Sequence, residues 1–137
     1  MADVLFEDYT IKVQKAIDDR INVALEECAG ELESAVKRES DRTRRTGQTS
    51  SGWAHHVDDA AHEATIGNPL ENAIWEEFGT GEHALNNDGR EGGWAYQDEK
   101  GDWHFTHGKK PRRAFYKAFT STKKAIINRI QESMRGL

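Results

Sequence analysis

The sequence predicts an α+β domain with a long N-terminal helix, a small antiparallel sheet, a short helix, a long mobile loop and a C-terminal amphipathic helix. Apolar residues recur at helical spacing at both ends of the chain. Between them the spacing shortens to strand-like alternation, and a stretch with five glycines in fifteen residues breaks the pattern. At 137 residues the chain has the size of one domain with one core.

The first helix is marked by Leu5, Tyr9, Val13, Ala16, Ile17, Ile21, Ala24, Leu25, Cys28, Leu32, Ala35 and Val36, which form a single stripe. No proline interrupts it, and Gly30 is its weak point, costing about 1 kcal/mol relative to alanine. Unbroken over residues 5–36, this helix is about 50 Å long, more than a small domain is wide. It is therefore expected to lean on something outside its own domain or to bend near Gly30.

The polar run SDRTRRTGQTSSG that follows Glu39 reads as a loop. Trp53, His55 and Val57 then alternate with polar residues, and Ala64 with Ile66 marks a second short strand ending at Gly67. Asn68 and Pro69 suit a turn into a short helix over Ala73, Ile74, Glu77 and Phe78, stopped by Gly79. That stop is expected to bury Phe78. Residues 79–93 are expected to form a mobile loop.

Trp94 and Tyr96 share one strand face, as do Trp103 and Phe105 on the return strand, so aromatic cross-strand pairs are expected to pin this hairpin. Beyond Pro111, Phe115, Ala118, Phe119, Thr122, Ile126, Ile130 and Met134 define the last helix.

Composition narrows the function. The net charge is −5, but it is unevenly placed: −5 over residues 1–40, −8 over 41–102 and +8 over 103–137. The basic segment is expected to meet either nucleic acid or an acidic surface of its own or a neighbouring subunit. One cysteine, Cys28, excludes an internal disulfide or a cysteine-rich zinc module. The start MADVLFEDYT lacks a signal-peptide layout and no apolar run approaches a membrane span, so a cytoplasmic origin without membrane partners is expected.

No catalytic constellation emerges. His55 and His56 are adjacent on a strand and point to opposite faces, which is wrong for chelating one ion. His62-Glu63 has no second histidine four residues on, and His104 with His107 needs His83 or a loop carboxylate to complete a metal site. Ser50 and Ser51 lack a strand-turn-helix frame, Cys28 lies on the apolar stripe, and Gly79-Thr80-Gly81 lacks the lysine of a phosphate loop. No enzyme, cofactor or resident metal is expected.

The ordered run Ile66-Gly67-Asn68, then Ala73-Ile74-Trp75-Glu76-Glu77-Phe78-Gly79-Thr80-Gly81, then Gly93-Trp94-Ala95-Tyr96, Asp98, Gly101-Asp102-Trp103, Thr106 and Gly108 resembles a bacteriophage family. The family is the tail-completion or head-tail joining proteins of long-tailed phages, the minor tail components. Thr46-Gly47 and Ser51-Gly52-Trp53 are similar to its upstream motifs, and the resemblance covers roughly residues 46–119. Ala114 and Lys117 replace a phenylalanine and a proline usual in the family, which moves the expected start of the last helix to near Arg112.

The resemblance implies a non-enzymatic virion protein, assembled in the host cytoplasm and placed at the head-tail junction. There it forms a ring, six subunits being one candidate number, around the DNA channel and docks on neck, connector or tail-tube proteins. It assigns interface or family-motif roles to Trp53, Gly67, Asn68, Trp75, Glu77, Phe78, Gly79, Thr80, Gly81, Trp94, Tyr96, Trp103 and Phe119. Arg42, Arg44, Arg45, Arg112, Arg113 and Lys117 are candidate DNA-channel or subunit contacts. The alternatives are a non-specific nucleic-acid-binding protein using the basic C-terminal segment, and a metal-dependent hydrolase built on the histidines.

Overall fold

The computed structural model describes residues 7–42 and 48–136. Helix α1 spans Thr10–Asp41 and α2 is the single turn Gln48–Ser51; β1 (Ala54–Asp58) pairs antiparallel with β2 (Glu63–Gly67). Helix α3 (Glu71–Phe78) leads through a 3-10 turn at Gly81–His83 to β3 (Trp94–Gln97) and β4 (Trp103–Thr106), and α4 (Ala114–Ser133) ends the fold. The α+β class is as expected. The sheet is not single: β1–β2 and β3–β4 are separate two-stranded sheets.

The 32 residues of α1 run as one helix, about 48 Å at 1.5 Å per residue, with no break at Gly30. Its neighbour is α4. Ala24, Cys28, Ala29, Leu32, Ala35 and Val36 are buried on α1, and these mostly small side chains let α4 approach closely through Ala118, itself fully buried. Trp53 completes this core, with Ile66, Phe115 and Ile126 packed on it. Arg129 seals the helix pair through Glu27 (3.3 Å) and Glu31 (3.1 Å).

The helices differ in length, and the difference shows at α1's beginning. Arg20 Nη1 donates to the carbonyls of Ser133 (3.2 Å) and Arg135 (2.9 Å), so α4 ends level with Arg20. The turns before it, about 15 Å of helix, extend beyond α4. Their apolar residues Tyr9, Ile11 and Val13 are exposed.

Residues 79–93 contain no strand, but their first half is tied down. Thr80 N donates to Lys109 O (2.9 Å), Glu82 N to His107 O (3.0 Å) and Leu85 N to Phe78 O (2.8 Å). This backbone crossing requires glycine. A Cβ on Gly81 would lie 2.3 Å from His107 O and one on Gly108 2.0 Å from Thr80 O, and both residues have positive φ.

Candidate functional site

Where Trp53, α3 and the start of α4 converge, an open apolar groove of about 380 Å³ forms. Its floor is a stack of aromatic rings. Trp53 and Phe115 lie 5.8 Å apart, and Phe115 and Phe119, one helical turn apart on α4, lie 6.2 Å apart. The Trp53 indole N–H donates to Ser40 Oγ at 2.9 Å, which fixes the ring's orientation.

The groove's other wall comes from α3, in a way the sequence reading did not anticipate. Ala73 and Glu77, four residues apart, face inward and are buried, which turns Ile74 and Phe78 toward the groove. Phe78 is therefore 41% exposed instead of buried, and Glu77 takes the interior place. That burial has a purpose. Glu77 Oε2 accepts the Phe115 backbone N–H (2.9 Å) and Oε1 accepts that of Tyr116 (3.0 Å). A carboxylate from one helix thus caps the N-terminus of another, satisfying two donors that α4 cannot pair itself.

Arg113 completes the junction. Its backbone is left-handed (φ 56°), which stops helix from extending back to Arg112 and corrects the expected start by two residues. Its Nε lies 3.4 Å from Glu77 Oε1, and its guanidinium sits 4.4 Å from the Tyr116 ring centroid and 6.0 Å from that of Phe78. Asn68 anchors the near edge, its Nδ2 donating to Thr49 O (2.7 Å) and its Oδ1 accepting Leu70 N (3.0 Å).

The expected site residues divide into several groups. Trp53, Asn68, Glu77, Phe78, Arg113 and Phe119 come together at the groove. Gly67 is exposed at the end of β2, and Trp75 is exposed on α3. Gly79, Thr80 and Gly81 form the backbone crossing. Trp94, Tyr96 and Trp103 stand apart on the β3–β4 hairpin. Its register pairs Trp94 with Thr106 and Tyr96 with His104, leaving Trp103 opposite Gln97 and Phe105 opposite Ala95. The two aromatic sets therefore lie on opposite faces instead of pairing, and the cross-strand stack is Tyr96 on His104 at 5.4 Å. Trp103 is 70% exposed.

The cations are largely engaged within the chain. Arg112 Nε lies 3.2 Å from Glu76 Oε2, Lys109 also pairs with Glu76, and Arg113 pairs with Glu77. Arg42 reaches Glu39 at 3.8 Å, Lys117 is exposed, and Arg44 and Arg45 lie outside the described residues. Four of the nine cations of residues 103–137, Lys109, Arg112, Arg113 and Arg129, thus meet carboxylates of α1 and α3 in their own subunit. Phe115, Tyr116 and Ile74 line the groove without having been singled out as site residues, although the i, i+4 spacing of Phe115 and Phe119 carried a signal.

Four of the six histidines pair with carboxylates: His104 Nε2 with Asp98 (2.7 Å), His107 Nδ1 with Glu82 (3.4 Å), His62 Nε2 with Asp18 (3.2 Å) and His55 with Glu26 and Glu33. Among the described residues no three metal-ligating side chains cluster, and no helix is long and apolar enough to cross a membrane. Comparison of the chain with protein-family models, curated proteins and solved structures finds no match.

Proposed function

We propose that this protein is a non-enzymatic assembly subunit of the head-tail junction of a long-tailed bacteriophage, acting by self-association into a ring. The observation that carries the reading is a pair of apolar surfaces exposed among the described residues, one near each end of α1. The start of α1 beyond α4 exposes Tyr9 and Val13 on one face, with Ile11 on the opposite face, while the groove beside Trp53 opens level with Val36, 23 residues past Val13. At 1.5 Å per residue that separation is about 35 Å along α1. Two different patches so far apart favour a head-to-tail contact between copies, which closes into rings when the rotation permits. The motif resemblance over residues 46–119 supplies the phage setting. Engagement of Arg112, Arg113, Lys109 and Arg129 with the chain's own carboxylates weighs against a free phosphate-tracking stripe.

The test is the mass of the purified full-length protein by light scattering over a concentration series at two salt concentrations, beside a Tyr9→Ser/Val13→Ser variant. Concentration-dependent closed oligomers, lost in the variant, support the reading. A wild-type protein that stays monomeric at every concentration and does not join purified tails or connectors overturns it. Charge reversal at Arg112 or Arg113 is a poor substitute, because both hold α3 and would disturb folding first.

A further inference from the structure

The β1–β2 hairpin and the helix under it are both acidic. Residues 54–67 contain no lysine or arginine and three carboxylates, Asp58, Asp59 and Glu63. The side chains of α1 that meet the hairpin include Glu26, Glu33 and Asp18. The hairpin nonetheless docks, and its polar attachments run through imidazoles.

His55 is the principal one. Its Nε2 lies 2.7 Å from Glu26 Oε1 and its Nδ1 2.5 Å from Glu33 Oε2, so the ring spans two helical turns of α1. It lies over Gly30, where a Cβ would sit 4.0 Å from His55 Cε1. His62, at the far end of the hairpin, adds Nε2 to Asp18 Oδ1 (3.2 Å) and Nδ1 to Asn22 Oδ1 (3.0 Å). A neutral imidazole carries one N–H and one lone pair. With both His55 nitrogens against carboxylate oxygens, the neutral ring would aim a lone pair at an anion, and only the doubly protonated ring donates to both. Opposite His55 in the ladder stands Ile66, which packs on the Leu32, Val36 and Trp53 core. Undocking His55 therefore also lifts an apolar side chain from the core.

We propose that the β1–β2 hairpin is a proton-operated latch, closed on α1 while His55 carries both ring protons and released when it loses one. The groups that govern it are Glu26 and Glu33 on α1, with Lys37 beside Glu33 at 3.1 Å; β2 contributes apolar Ile66. Pairing first with Glu26 and then with Glu33 raises the His55 pKa above the ordinary histidine value, and His55, then Lys37, hold Glu33 below the usual carboxylate value. A raised folded-state value means that the latch contributes fully below about pH 6.5 and weakens as pH rises through the folded value. The working range therefore lies on the neutral-to-alkaline side.

Hydrogen exchange of the full-length protein, corrected for intrinsic rates, tests this between pH 6 and pH 9. Protection of residues 54–67 should fall by up to tenfold per pH unit between about pH 6.5 and the folded-state His55 value, where the closed hairpin holds one more proton than the open one, and should level off above it. Protection of residues 118–130 on α4 should stay level. His55→Gln should flatten the pH dependence of 54–67, and Glu26→Gln should move it to lower pH. Constant protection of 54–67 in the wild type, or the same profile in His55→Gln, overturns the latch. Should the variants fail to fold, the wild-type His55 Cε1 proton resonance decides. A midpoint above the ordinary histidine value supports the latch, and one at or below it overturns it.

Discussion

Replacing Glu77 by alanine removes the acceptor for two backbone N–H groups at the start of α4 and leaves Arg113 beside an empty space. Hydrogen bonds to a charged group contribute about 1.5–3 kcal/mol each, and losing a helix cap costs about 1 kcal/mol. The contributions overlap, because the Phe115 and Tyr116 donors are themselves the cap, and water will reach a partly open groove. A net loss of about 3 kcal/mol follows for Glu77→Ala. Glu77→Gln keeps one acceptor oxygen and loses the charge, so about half that loss is expected. In urea, with a slope of about 1.5–2 kcal/mol per molar, the alanine variant's midpoint should drop by about 1.5–2 M. The assay is far-UV circular dichroism against urea, with near-UV signal reporting the Trp53–Phe115 stack. An alanine variant within about 0.5 kcal/mol of wild type would refute the capping role, since that is the scatter of ordinary surface substitutions.

Other expectations follow from single features. Gly108→Ala places a Cβ 2.0 Å from Thr80 O at φ 114°, and should cost about 3 kcal/mol in urea unfolding or prevent folding. Gly30→Ala should instead stabilise by about 0.5–1 kcal/mol, since the new methyl meets His55 at ordinary contact distance and helix propensity improves. Cys28 is buried with Sγ 3.8 Å from Ile126 O, and burial raises its thiol pKa. Its reaction with a disulfide reagent at neutral pH should be slow in the native protein and fast in denaturant. Cysteine reactivity equal in both states would contradict the packing of α1 on α4.

Periodicity carried the two long helices, because a continuous stripe is a local signal and nothing distant overrides it. Gly79 likewise ends α3 where expected, with φ 76°. What the sequence concealed was long-range partnership. Glu77 entered only as an interface or family-motif residue, and its capping role stayed hidden because its targets lie 38 and 39 residues away. The helix start shifted from Arg112 to Ala114 for the same reason: the cap and the left-handed Arg113 act together. The β3–β4 aromatics were correctly placed on strands but assigned to facing positions. Register depends on the turn between Asp98 and Asp102, and a one-residue difference reverses every face. The groove was half legible: its Trp53, Phe78 and Phe119 carried motif or periodic signals, but their convergence depends on how α3 crosses α4.

The backbone crossing at Gly81 and Gly108 bears on how signature residues are interpreted. Glycine is demanded there by chain meeting chain, a requirement that stands whatever the molecule touches. A motif anchored on such positions is a record of architecture, and proteins that share it could diverge freely in their partners. Exposed side chains such as Ile74, Trp75 and Trp103 are under no such demand, and sequence can change there without disturbing the scaffold.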